Sequence, residues 1–140
     1  MKKVLLDTNV FNNKTFLGWI AQSIKTKRVV PYINSIIYLE LGFIYWVRGK
    51  WELFKKIMTR LNIQFLSVSI ADARYGVEAA YSFKDTPEGS AMHFRDCLIG
   101  GTAISKNLVV VTQNVRHFTF LPPDMVATPN DTMAESESSR

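Results

Sequence analysis

Short runs of β-branched and leucyl residues alternate with stretches of helical periodicity along most of this chain. Lys3–Leu6, Arg28–Ile33, Ile63–Val68 and Asn107–Val111 read as strands, and Met125–Ala127 is the candidate for a last short one. Between them, Val10–Ile24, Asn34 or Ser35 to about Arg48, Lys50–Leu61, Ser69–Phe83 and Met92–Ser105 carry apolar residues at helical spacing. Asp85–Gly89, with Pro87 and Gly89, reads as a loop. Such alternation confines the fold to class α/β, a parallel sheet with helices on both faces. In that class ligands bind beyond the C-terminal ends of the strands. The polar residues that end each strand therefore carry the functional argument.

The chain has 140 residues, with a hydrophobic content of 47% and a charged content of 21%, as expected of one globular domain. The expected domain is residues 1–128. Residues 129–140, dominated by Ser, Glu and Thr, are expected to be a disordered tail. The net charge is +5, and the last twelve residues hold three acids and one arginine, so the rest stands near +7. A basic body favours an anionic partner, and nucleic acid is the usual one. A single cysteine, Cys97, excludes an internal disulfide and fits a reducing compartment. The apolar run after Met1-Lys2-Lys3 stops at Asp7, too short for a secretory leader. Ile33–Val47 is apolar but shorter than a membrane span and contains Glu40. The expected location is the cytoplasm, with no membrane partner.

Four residues stand out. Asp7 ends the first strand run, Val4-Leu5-Leu6-Asp7-Thr8-Asn9. Glu40 is the sole charge between Ile36 and Val47, on a helix apolar enough all round to be read as buried. An isolated buried carboxylate costs several kcal/mol unless paired, protonated or bound to a cation. Positions three and four residues away hold only Ile36, Ile37, Phe43 and Ile44. Glu40 is then partly exposed, paired with a residue distant in sequence, or facing a cation. Asp96 opens a helix that continues as Cys97-Leu98-Ile99-Gly100-Gly101-Thr102-Ala103-Ile104, where an acid also complements the helix dipole. Its small residues are expected to pack closely against the sheet. Thr112-Gln113-Asn114 follows the fourth strand, and Thr112 and Asn114 share a face. Clustered carboxylates repel unless a cation neutralises them, and hard oxygen donors select Mg²⁺ or Mn²⁺.

These segments resemble, in order and spacing, the motifs of the PIN domain, specifically the VapC-type toxin ribonucleases. Leu5-Leu6-Asp7-Thr8-Asn9-Val10 is similar to the first motif, and Ser35 with Glu40-Leu41 to the second. Asp96 with the small-residue helix after it is similar to the third, and Thr112-Gln113-Asn114 with Phe118 to the fourth. The resemblance spans about residues 3 to 127. It implies a three-layer α/β/α sandwich with a central, mostly parallel sheet, and a Mg²⁺- or Mn²⁺-dependent endoribonuclease. It further implies a homodimer, an RNA substrate and a cognate antitoxin protein. Asp7, Glu40 and Asp96 would be the metal-binding acids, with Asn114 beside them as a catalytic residue. Thr8, Asn9 and Thr112 would support them. Many members carry a further acid in the fourth motif, where this chain has Asn114 and, three residues on, His117. That departure puts a second metal in doubt.

Rival readings attach to the same residues. The haloacid-dehalogenase phosphatases need a second Asp two positions after the first, where this chain has Asn9. A degenerate PIN module would bind RNA or a partner protein without cutting. A housekeeping nuclease of RNA maturation is the third rival. Cys97 reads as a core thiol, His93 as a surface histidine, Asp72 as a helix cap and Asp85 as a loop acid. Lys25, Lys27 and Arg28 form a basic cluster that either tracks RNA backbone or is simply solvated.

Overall fold

The computed structural model describes residues 2–26 and 28–138, with side chains through Glu135. Five parallel strands form the sheet: β1 (Lys2–Leu6), β2 (Val29–Asn34), β3 (Gln64–Leu66), β4 (Val109–Val111) and β5 (Val126–Ala127). Their order is β3-β2-β1-β4-β5. Six α-helices flank it: α1 (Lys14–Lys25), α2 (Ser35–Val47), α3 (Trp51–Arg60), α4 (Ile70–Tyr81), α5 (Phe94–Lys106) and α6 (Pro129–Ser138). The expected three-layer α/β/α class is thus the one observed, with a sheet that is wholly parallel.

β1 lies at the centre because it is apolar enough to be covered on both faces. Val4, Leu5 and Leu6 are fully buried, as are Ile33 on β2 and Val110 and Val111 on β4. From β1 the chain runs outward to β2 and β3, then returns to β4 on the other side. The direction of winding therefore changes between β1 and β4. At such a switch point the loops leaving the strands part and open a crevice.

Pro31 lies in a strand with a neighbour on each side, an uncommon place for a residue that has no N–H to donate. The short β3 explains this. It pairs only with Tyr32, Ile33 and Asn34, so at Pro31 the ladder runs to β1 alone. A residue without an N–H is tolerated where the ladder is one-sided.

α4 and α5 make the closest helix pair. A β-carbon on Gly101 would stand 2.1 Å from the Asp72 carbonyl oxygen, and one on Gly76 would stand 3.2 Å from that of Cys97. Close packing on the sheet was expected of the small residues of α5; Gly101 instead admits α4, Gly100 admits Phe120 and Leu121, and Ala103 joins the central core. A buried polar chain bridges the contact. Ser69 caps α4 and Asp72 answers it: the Ser69 hydroxyl accepts from Asp72 N at 3.1 Å, and Asp72 Oδ2 accepts from Ser69 N at 3.2 Å. Thr102 Oγ1 donates to Asp72 Oδ2 at 2.9 Å and accepts from Asn34 Nδ2 at 3.0 Å. Asp72, expected as a cap, is the partner of the Ser69 cap in a capping box, and it also ties α4 to α5 and, through Thr102, to the end of β2.

Residues 129–138 are helical rather than a disordered tail. Thr128 caps α6, its hydroxyl accepting from Asp131 N at 3.0 Å, and Pro129 starts the helix. Pro at a first helical position has no N–H to leave unsatisfied. Thr132 is buried, Met133 packs on the core, and Glu135 pairs with Lys2. Composition favoured disorder, but the cap and these contacts tie the segment to α1 and, through Lys2, to the start of β1.

α2 differs from the expected buried helix. Ile37 and Leu41 face the core, while Leu39, Phe43, Trp46 and Val47 stand about two-thirds exposed. Hydropathy gave no contrast between the two faces because both are apolar. Among the described residues, no helix is long and apolar enough to cross a membrane.

Candidate active site

Asp7 follows β1 into the crevice and is 2% exposed. Its amide continues the ladder, donating to the Val111 carbonyl at 3.0 Å, so the backbone fixes where the carboxylate starts. A 3-10 turn, Thr8–Asn12, begins at once, and Asp7 caps it by accepting from Thr8 N at 2.8 Å. Thr112 Oγ1 donates to Asp7 Oδ2 at 2.8 Å from the end of β4. Asn9 Nδ2 lies 3.4 Å from the same oxygen and 3.3 Å from the Thr112 hydroxyl, and Asn9 Oδ1 accepts from Gln113 N at 3.1 Å. The expected supporting residues Thr8, Asn9 and Thr112 therefore all bear on Asp7.

Glu40 reaches the same point from α2, whose start is fixed by Asn34 accepting from Ile37 N at 3.1 Å. Thr8 Oγ1 donates to Glu40 Oε1 at 2.7 Å. Asp96 arrives from the first turn of α5. The three acids converge beyond the strand ends, on a cleft of about 620 Å³. Asn114 lines the same cleft, and its backbone N–H donates to Thr112 Oγ1 at 3.0 Å. Arg48, Lys50, Tyr45 and His117 lie along the walls, with His117 Nδ1 3.7 Å from Asp96 Oδ2.

Arg95 is the group that sequence reasoning missed. Its Nε donates to Glu40 Oε2 at 2.6 Å and its Nη2 to Glu40 Oε1 at 2.8 Å, a side-on bidentate pair. Nη2 also reaches Asp7 Oδ1 at 2.6 Å, and Nη1 reaches Asp96 Oδ1 at 2.6 Å. Of the explanations open for Glu40, partial exposure and a partner distant in sequence both hold. Burial works to raise the Glu40 carboxyl, but hydrogen bonds from Arg95 and Thr8 and the Arg95 charge outweigh it and hold it below its ordinary value. Arg95 is itself partly desolvated, which works to lower its pKa; its bonds to Glu40 and the charge of Asp7 overcome this and raise it.

The donor set suits a hard divalent cation: three carboxylates with neighbouring hydroxyls, and no thiolate or imidazole-rich shell. It also already holds a cation, the Arg95 guanidinium, bonded to all three carboxylates. As they stand, no three acids, histidines or cysteines among the described residues are disposed to hold a metal. Three carboxylates against one guanidinium leave two formal negative charges.

The remaining candidates lie elsewhere. His93 bonds Glu88 at 2.9 Å and stacks on Phe83, away from the cleft lining. Cys97 is buried, and burial with the Asp96 charge pushes its thiol up to about 11, which suits an inert core thiol. Lys25 and Arg28 flank the turn before β2, at the sheet edge opposite the cleft; Lys27 lies outside the described residues.

The wholly parallel five-stranded sheet thus gathers acids from the end of β1, from α2 and from α5 at its switch point. No family model matches the chain, and no curated protein matches it in sequence. Solved structures do. A DNA-bound VapBC from Salmonella typhimurium is 27% identical, covering 92% of this chain and 99% of its own, with a TM-score of 0.67. A toxin–antitoxin complex from Klebsiella pneumoniae is 19% identical over 90% of this chain and 97% of its own, also at 0.67. VapBC2 from Rickettsia felis, bound to a fragment of its promoter DNA, is 18% identical over 90% and 98%, again at 0.67. With these neighbours, the fold is that of a VapC-type PIN domain, the family the sequence motifs resemble.

Proposed function

We propose that this protein is the toxin of a toxin–antitoxin pair, a metal-dependent endoribonuclease that hydrolyses RNA phosphodiester bonds. The observation that carries this reading is the convergence of Asp7, Glu40 and Asp96 from three elements on one open cleft. The VapBC likeness supports the toxin role. Asp7, Glu40 and Asp96 would hold Mg²⁺ or Mn²⁺, which when bound activates water and offsets charge on a phosphodiester transition state. The chain's own residues supply order. Thr112, Asn9 and the Thr8 amide fix Asp7, and Thr8 Oγ1 fixes Glu40. Arg48, Lys50 and His117 give the walls donors for phosphate oxygens, and Asn114 adds a neutral amide.

Exposed apolar side chains support protein partners. Leu39, Phe43, Trp46 and Val47 on α2, and Ile70, Val77 and Tyr81 on α4, stand exposed, and clustered exposed apolar side chains mark interaction surfaces. A cognate antitoxin and a second copy of the chain are the partners we assign to them, in the cytoplasm.

One observation favours a second reading. Arg95 fills the acid cluster and the fourth motif has no acid, as a degenerate module that binds without cutting would have it. Induced expression with mapping of RNA ends decides. Growth arrest with new, site-specific RNA ends is expected of the toxin. Unchanged growth and intact RNA would favour the degenerate module.

A further inference from the structure

Arg95 is held by three carboxylates, Glu40 and Asp7 from other elements and Asp96 beside it on α5. A cation in the first turn of α5 opposes the helix dipole, so local structure gives no reason for it there. The acids give the reason: Glu40 along one edge, Asp7 at one tip and Asp96 at the other, each at 2.6 Å. Spread around a planar guanidinium, these oxygens cannot also close on a small ion. Mg²⁺ draws its oxygen ligands to about 2.1 Å in a near-octahedral shell. The guanidinium and the ion need the same space and the same carboxylates. The Arg95 side chain is 35% exposed, so it borders solvent and has a way out.

We propose that Arg95 is an internal cation that closes the carboxylate site, and that it swings into solvent when a divalent ion enters. The acid cluster then has two exclusive states, one held by arginine and one held by metal. This rests on the metal reading proposed above and adds what competes for the site. The two fillings exchange as intact cations, the guanidinium leaving with its protons. Apparent metal affinity is divided by the fraction of molecules with Arg95 out, so a tenfold preference for the closed state weakens binding about tenfold.

The test is Mn²⁺ binding by calorimetry to the full chain, Arg95→Lys and Arg95→Gln. Arg95→Lys keeps the net charge, but an ammonium cannot hold Glu40 edge-on while reaching Asp7 and Asp96. It is expected to bind Mn²⁺ on the order of tenfold more tightly than the wild type, and Arg95→Gln more tightly still. A second readout needs no variant: the Arg95 Nε–Hε NMR signal of the wild type should shift on Mg²⁺ addition, to a position typical of a solvated arginine.

Affinity of Arg95→Lys equal to the wild type would overturn the proposal, because any gain in Arg95→Gln would then be charge alone. An Arg95 signal unmoved by saturating Mg²⁺ would overturn it too, and decides the matter if the variants do not fold. No Mn²⁺ binding by any of the three proteins would remove the metal reading and the exchange together. The predicted order of affinities with no RNA cleavage would uphold the exchange and overturn only the nuclease activity.

Discussion

Thr112 and Asp7 are 105 positions apart, and the Thr112 hydroxyl donates to Asp7 Oδ2 at 2.8 Å across the ends of β4 and β1. This bond makes the fourth motif a support for the first. Asp7 is 2% exposed, so solvent has little access to replace a lost donor. Thr112→Val keeps the shape and removes the hydroxyl, which also accepts from Asn114 N and Asn9 Nδ2. It should destabilise the fold by about 1–3 kcal/mol, the cost of leaving buried polar groups unpaired. Thr112→Ser should recover most of that. Urea unfolding measures both, and equal midpoints for Thr112→Val and wild type would show that the bond contributes nothing.

Asp72 makes stability depend on acid. Burial works to raise its carboxyl; the Ser69 hydroxyl and amide and the Thr102 hydroxyl outweigh that and hold it below 3.8. The folded state then binds this proton more weakly than the unfolded chain, so stability rises with pH in the acid range. The contribution is complete above 3.8 and is lost as pH falls through the lower folded value. Asp72→Asn should therefore lose stability at neutral pH and show a shallower decline than wild type below about pH 4. Parallel midpoint-against-pH curves for the two proteins would contradict this.

α6 belongs to the folded unit through its cap and its buried face. Thr128→Ala should lower stability by about 1 kcal/mol, the usual worth of such a cap. Ending the chain at Thr128 should lower it further, because Thr132 and Met133 leave the core. Melting temperatures of the two variants check this. Melting curves that match wild type for both would return residues 129–138 to the role of a tail.

The sequence made some of this legible and hid the rest for physical reasons. A strand that stops at an acid marked Asp7, and a helix opening on an acid before small residues marked Asp96. Glu40 stood out as one charge in an apolar run. The reading of α2 as buried failed because hydropathy records what a face is made of and not what covers it. Arg95 stayed hidden because it joins residues 88 and 55 positions away, and no helical or strand spacing relates them. α6 was obscured by its composition, although Thr128-Pro129-Asn130-Asp131 is a capping box with proline at the first helical position. Gly101 was read as a residue for the sheet and serves α4, a choice that only packing makes.

Asp7, Glu40 and Asp96 are proposed to work as one metal-dependent cutting site. Cleavage of an end-labelled single-stranded RNA pool tests it directly, with Mg²⁺, Mn²⁺ or EDTA, for wild type, Asp7→Asn, Glu40→Gln and Asp96→Asn. Each variant removes charge and keeps shape, and circular dichroism checks that it folds. Wild type should cut with either metal and stop with EDTA, and each variant should lose at least about a hundredfold in rate, as expected when a charge-stabilising group is removed. Cleavage that persists in EDTA, or a folded Asp96→Asn protein that cuts at the wild-type rate, would contradict the account.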